Sequence, residues 1–311
     1  MTMQNACKAD NILELMDAFR RSKTMFAAVK LGIFDGARPP DYKALDRLLD
    51  ALVALGLLEK RDGAYLNTPQ SDKYLRSDSP DSLSGYIHYS NEALYPMWAH
   101  LEDAVREGTP RWNQTFGTEG GIFSGFFRTE QAKREFLKGM HGLGRISSPA
   151  VAAAFDLSRF HRLVDLGGAS GHLAEAVRER YPQMQAQVFD LPEVAKLYPG
   201  TMAGDFFNDP LPEADLYAVG RILHDWSDEK IYRLLSKIYA ALPESGGLLI
   251  AEKLLEPGYV AAHTQSLNML IATEGRERSA TEYEALLRSA GFSAVDSRVT
   301  GAYLDAVLAI K

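Results

Sequence analysis

From about residue 160 onward the 311-residue chain alternates short apolar runs with helical segments, and this alternation restricts the fold more than any other feature. Residues 162–166 read as a strand, 172–180 as a helix and 185–190 as a second strand. Further strands are expected at 216–222 and 248–252, with helices at 228–242 and 281–290, and Gly204-Asp205 is placed after another strand end. Such alternation predicts a mostly parallel sheet with helices on both faces. The last two apolar runs, 294–300 and 304–310, are separated only by Gly301-Ala302-Tyr303. With no helical crossover between them they must pair antiparallel. The expected fold class is therefore α/β: a Rossmann-like, mostly parallel sheet that ends in an antiparallel hairpin.

The first half of the chain has a different pattern. Ile12, Leu15, Met16, Phe19, Phe26 and Val29 recur at helical spacing, and Gly32 closes that helix. A second helix carries Leu45, Leu48, Leu49, Leu52 and Val53 and stops at Gly56. Asp62-Gly63 between two short runs is a hairpin signal, and Thr68-Pro69 reads as the cap and first position of another helix. A helix followed by a hairpin has the outline of a winged helix. DNA binding is a poor fit, because Lys43 and Arg47 stand among Asp41, Asp46 and Asp50 and the net charge is −7. The wide apolar face of the first helix suits packing and dimerisation instead. We expect a helical, winged-helix-like dimerisation domain over 1–115 and a catalytic domain over 116–311, in which 116–160 is a helical connection contributing to the substrate pocket. Cys7 is the only cysteine, which excludes an intrachain disulfide and a cysteine-rich metal site. No histidine or acid set has metal-ligand spacing, so no metal is expected. No apolar run approaches the roughly 20 residues of a bilayer span, and the default expectation is a cytoplasmic protein without a membrane or nucleic-acid partner.

The strand ending Val164-Asp165-Leu166 runs into Gly167-Gly168-Ala169-Ser170-Gly171 and then a helix. Glycines at such a turn let backbone approach a ligand without a Cβ clash. Asp165 is placed to orient the turn or a ligand ammonium group; a capping or loop role is the plainer alternative. Asp190 ends the next strand, where an acid can accept hydrogen bonds from ribose hydroxyls. Asp205 and Phe206 add an acid and an aromatic suited to an adenine. Ligands of such sheets sit beyond the strand C-termini, where all of these residues lie.

The stretches Leu163-Val164-Asp165-Leu166-Gly167-Gly168, Val188-Phe189-Asp190-Leu191-Pro192, Gly204-Asp205-Phe206-Phe207, Arg221-Ile222-Leu223-His224-Asp225-Trp226-Ser227-Asp228, Ser266-Leu267-Asn268-Met269-Leu270 and Thr273-Glu274-Gly275-Arg276-Glu277-Arg278 carry a family resemblance. The chain resembles the plant-type and bacterial class I small-molecule O-methyltransferases, above all the acetylserotonin O-methyltransferase branch. The resemblance implies S-adenosyl-L-methionine as cofactor, with Gly167 at its methionine end, Asp190 at the ribose, Asp205 and Phe206 at the adenine, and Arg221 at a basic contact position. It also implies His224 as catalytic base, flanked by Glu252 and Glu277, and an intertwined homodimer. Histidine suits removal of a hydroxyl proton because its reference pKa of about 6.5 lies near neutrality. Pocket candidates for a small hydroxylated aromatic substrate are Phe136, Met140, Trp226, Asn268, Met269 and Ala272.

Two positions depart from the family pattern. Ala169 replaces a glycine, which is tolerable if its φ is negative. Ala272 stands where acetylserotonin enzymes carry glutamine, which removes a hydrogen-bonding handle for an acetamide. The chain also runs short of the family at 36–41, 196–202 and 256–263. Alternatives to base-assisted O-methylation are natural-product tailoring that works mainly by proximity, and a non-catalytic methyltransferase-fold protein with a binding or regulatory role.

Overall fold

The computed structural model describes residues 10–39, 41, 43–118 and 130–311, and the chain divides into two compact units, Met1–Glu92 and Ala93–Lys311. In the first unit, helix α1 (Asp10–Lys30) ends at Gly32, whose φ of +69° only glycine adopts readily. Helix α2 (Leu45–Ala54) precedes the hairpin of β1 (Leu58–Arg61) and β2 (Ala64–Asn67), paired antiparallel from Leu58↔Asn67 to Arg61↔Ala64. Asp62 and Gly63 both take positive φ, the tight turn that matches strand twist. Thr68 caps helix α3 (Pro69–Tyr74) by accepting from the Ser71 N–H. Ala28, Val29, Ile33, Phe34, Leu49, Leu52 and Leu58 are buried together in this unit's core. The opposite face of α1 remains uncovered: Ile12, Leu15, Met16 and Phe19, spaced i, i+3, i+4 and i+7, are each more than half exposed.

The second unit is built on a seven-stranded sheet of β3 (Arg162–Leu166), β4 (Gln185–Asp190), β5 (Met202–Ala203), β6 (Leu216–Gly220), β7 (Gly247–Glu252), β8 (Ala294–Arg298) and β9 (Asp305–Ile310). The strand order is β5-β4-β3-β6-β7-β9-β8. All pairs from β5 to β7 are parallel, and β9 pairs antiparallel with both β7 and β8. The fold class and terminal hairpin match the sequence expectation. The hairpin's second strand, however, inserts between β7 and β8 rather than closing the edge. Helix α4 (Glu130–Ala153) precedes the sheet, and α5 (His172–Arg180), α6 (Asp228–Ala241), α7 (Val260–Ala272) and α8 (Ala280–Ser289) are interleaved with it. Two apolar clusters are buried, one containing Val164, Tyr217, Leu234, Ile250 and Tyr283, the other Val151, Leu163, Leu173, Val177 and Leu249. Strand order reverses at β3, with β4 on one side and β6 on the other, and ligands of such sheets bind beyond the C-terminal strand ends at this switch point.

Strand β6 stops at Gly220, two residues before the expected end. Arg221 turns to φ +57°, and the carboxylate Oε1 of Glu252 then accepts the N–H groups of Ile222 and Leu223, both at 3.0 Å. A side chain from β7 thus replaces the ladder partner that would have continued the strand. Among the described residues no helix is long and apolar enough to cross a membrane.

Candidate active site

The glycine-rich turn after β3 is held from inside. Gly167 takes φ +71° and donates to the Phe189 carbonyl at 2.8 Å. A Cβ on Gly167 would come within 2.6 Å of Ile222 and 3.3 Å of Phe206, so this position brings the turn against both. Ala169 has φ +47°, in the left-handed region, which corrects the expectation of a negative φ. Its N–H donates to Asp190 Oδ2 at 2.8 Å, and this bond, together with the positive φ at Gly167 and Gly171 on either side, holds an alanine where glycine would be relaxed.

Asp165 and Asp190 sit close enough to influence each other, and both are buried. Burial pushes the Asp165 carboxyl up from 3.8 to about 7, with the charge of Asp190 adding to the shift. Burial also raises Asp190, against the pull of the Ala169 and Leu191 N–H groups. Neither forms an ion pair among the described residues, and Asp165 Oδ2 is buried without a hydrogen-bond partner there. Gly168 lies so near that a Cβ would sit 2.4 Å from that oxygen. Asp165 accepts from the Ala174 backbone, and its second oxygen, buried beneath a glycine turn and left unpartnered, suits a cationic group such as an ammonium. Asp205, half-buried, accepts from the Phe207 N–H at 2.8 Å and Asn208 Nδ2 at 2.7 Å, so it organises its own turn. Phe206 and Phe207 pack with their rings tilted at 58° and 4.8 Å apart, and Phe207 meets Trp226 edge-on at 5.2 Å. Lys237 from α6 pins this loop through the Phe206 and Asp209 carbonyls.

His224 lies on a single turn, Leu223–Asp225, after β6, and is almost fully buried. Both predicted acids converge on the same ring nitrogen: Nδ1 is 2.7 Å from Glu277 Oε1 and 3.1 Å from Glu252 Oε2. Nδ1 therefore carries a hydrogen, and Nε2 is the nitrogen left to exchange a proton; its nearest acid is Asp225, at 3.8 Å. Burial opposes the imidazolium, but the charges of Glu252, Glu277 and Asp225 and the Glu277 hydrogen bond outweigh it and raise His224 from 6.5 to about 10. Burial in turn pushes Glu252 up. The segment bearing Glu277 can approach because Gly275 has no side chain: a Cβ there would be 2.2 Å from the His224 carbonyl oxygen.

Some supporting residues were not singled out from the sequence. Arg278, buried beside Glu277, donates to the carbonyls of Leu223, Trp226 and Arg276 and to Asp228, which ties the histidine turn to the start of α6. The alternation of acid and arginine in Glu277-Arg278 was the available signal. Trp98 Nε1 donates to Asn268 Oδ1 at 3.0 Å and so fixes that amide's direction; Trp112 Nε1 donates to the Ala272 carbonyl at 2.7 Å. Asn268, Met269 and Ala272 are all buried along α7, and Met140 is half-buried on α4. Among the described residues, His224, Glu252 and Glu277 form the one group of three with metal-ligand donor atoms close together.

A parallel sheet with an antiparallel terminal hairpin and a glycine turn after the central strand, at the switch point of the strand order, define a class I methyltransferase fold. A family model described as an O-methyltransferase domain matches residues 98–293. The chain belongs to this O-methyltransferase family and is an S-adenosylmethionine-dependent enzyme of it. It is 39% identical to the acetylserotonin O-methyltransferase of Gallus gallus, with 96% of each chain covered. It is 40% identical to a probable bifunctional dTTP/UTP pyrophosphatase/methyltransferase protein of Homo sapiens, covering 96% of this chain and 53% of that one. The chain thus spans about half the length of that relative. The crystal structure of human N-acetylserotonin methyltransferase in complex with S-adenosylmethionine superposes with a TM-score of 0.91 and 38% identity, covering 100% of this chain and 99% of the other.

Proposed function

We propose that the chain methylates the hydroxyl of a small hydroxyindole or related phenol, with His224 as general base. The observation that carries this reading is His224 Nδ1 held by Glu277 and Glu252, which orients Nε2 for proton transfer. When bound, S-adenosylmethionine supplies an activated methyl group on a sulfonium. The remaining work belongs to this chain's residues. Asp165 would hold the cofactor's ammonium, Gly167 would give it backbone access, and Asp190 would accept from its ribose. Asp205, Phe206 and Arg221 complete the cofactor contacts. Met140, Trp226, Asn268, Met269 and Ala272 line the acceptor pocket, where the fixed Asn268 amide supplies polar recognition.

The raised His224 pKa fits a phenolic acceptor, whose own reference value is about 10, because proton transfer between the two is then near balance. The same value leaves His224 largely protonated at neutral pH, which favours a second reading in which proximity does most of the work. N-acetylserotonin, other 5-hydroxyindoles and simple phenols should be incubated with the protein and cofactor and the products weighed by mass spectrometry. The reading expects a methylated hydroxyindole or phenol, and the absence of methylated product from every one of them, with a protein that binds cofactor, would overturn the acceptor class.

The uncovered α1 face supports a homodimer, with the winged-helix-like unit as its dimerisation module in a cytoplasmic enzyme. Sedimentation velocity should then report a dimer that Phe19→Glu weakens, and a monomeric wild-type protein would refute this.

A further inference from the structure

Helix α4 presents His141, Gly144 and Ser148 at i, i+3 and i+7, on one face, to the glycine-rich turn and the start of α5. His141 Nδ1 lies 2.8 Å from Ser170 Oγ, within the turn. Ser148 Oγ lies 2.8 Å from Nδ1 of His172, the first residue of α5. The His172 ring rests on Gly144, where a Cβ would be only 2.2 Å from it. The two histidine–serine pairs therefore bracket Gly171, with one on each side.

We propose that His141 and His172 are positioning residues for the cofactor, which staple α4 to the turn and hold it in its binding conformation. The inference rests on the reading that this turn receives S-adenosylmethionine. Its physical basis is the strain in the turn. Ala169, next to Ser170, sits at φ +47°, a left-handed conformation that L-residues with a Cβ adopt only at a cost. Such a conformation persists only where surrounding contacts over-determine it. The Ala169 N–H also donates to Asp190, the acid assigned to the ribose. His141 thus connects to the ribose acid through Ser170 and Ala169. Burial, followed by the charges of His141 and Arg221, lowers His172 to about 4, so at neutral pH it acts as an uncharged hydrogen-bonding group.

Cofactor KM and kcat, together with cofactor binding by calorimetry, should be measured on the full chain for His141→Ala, Ser170→Ala, His141→Asn and Gly144→Ala. Loss of one hydrogen bond corresponds to about a 3- to 10-fold change. His141→Ala should raise cofactor KM by about that factor, with kcat at saturation nearly unchanged. Ser170→Ala, which removes the same bond with little risk to folding, should match it, and the double variant should add nothing further. His141→Asn, whose amide can occupy the Nδ1 position, should recover most of the affinity. Gly144→Ala should reproduce the KM effect by displacing His172. Variants that bind cofactor as tightly as the wild type, or an Asn variant as weak as the Ala variant, would overturn the inference alone. A wild-type protein that does not bind cofactor would overturn the reading of the turn with it.

Discussion

On the β6–β7 wall of the cleft His224 meets two buried carboxylates at one nitrogen, while on the β3–β4 wall Asp165 and Asp190 face each other with no ion pair among the described residues. The first wall gathers its acids around a base: Glu252 also anchors the turn that carries His224, Arg278 ties that turn to α6, and Oε2 of each glutamate is buried with no hydrogen-bond partner among the described residues. The second holds two acids that burial makes harder to ionise, with no imidazole or other base paired to them among the described residues, and a strained Ala169. A base must be oriented before the acceptor arrives, whereas a binding wall gains affinity by leaving for its ligand a charge the protein does not itself neutralise.

The largest effect that can break this contrast comes from His224→Ala. Turnover should fall by about 10²- to 10⁴-fold with cofactor affinity little changed, as read by steady-state kinetics and calorimetry. Nearly intact turnover would transfer the work to proximity. On the opposite wall, Asp165→Asn should weaken cofactor binding by about 10- to 100-fold while leaving saturated kcat close to wild type. The same variant tests the charge argument without cofactor. The folded pKa of Asp165, about 7, lies above its unfolded value of 3.8, so the folded state binds the extra proton between them. This group's contribution to stability is complete below about pH 4 and is lost as pH rises through 7. Denaturant titrations of Asp165→Asn should lack that decline, and an unchanged pH dependence would remove Asp165 as its source.

A finer test separates the two acids on His224. Only the neutral imidazole accepts a proton, so wild-type kcat/KM should rise about tenfold per pH unit above neutrality and level near pH 10. Glu277→Gln removes one of the charges that raise His224 and should move the rise toward neutral pH, with a lower plateau from the weaker base. A profile that does not move would mean that His224 does not titrate in the rate. The smallest expected effect is in the turn. Ala169→Gly should stabilise the protein by about 1 kcal/mol, seen as a Tm higher by about 2–4 °C in calorimetry. A lower Tm would show that the methyl packs well enough to offset its backbone strain.

Much of the frame was legible because it depends on short-range patterns. The bounds of β3, α5 and β4 follow from apolar runs broken by Gly167–Gly171 and closed at Asp190. The antiparallel pairing of β8 and β9 follows from a three-residue link too short for a crossover. The site was legible as a set of residues, since His224, Glu252 and Glu277 were named together, but its wiring was not. That both acids would share Nδ1, and that Glu252 would end β6 early, depends on side chains 30 and 53 residues along the chain from the residues they meet. The sign of φ at Ala169 was equally hidden, because it is imposed by neighbours on the turn rather than by alanine's own preference. His141 had no motif around it, and its pairing with Ser170 exists only because α4 packs against α5.

The amino-acid sequence by itself determined which elements form, that the sheet is parallel up to a terminal hairpin, and which acids and glycines stand at the strand ends. These are consequences of local propensity and of the chain length between elements. Only the tertiary structure decided where β9 inserts, which nitrogen of His224 the two glutamates share, and why Asp165 holds its proton to about pH 7. Those properties arise from burial and from charges brought together across long stretches of chain, and no local pattern encodes either.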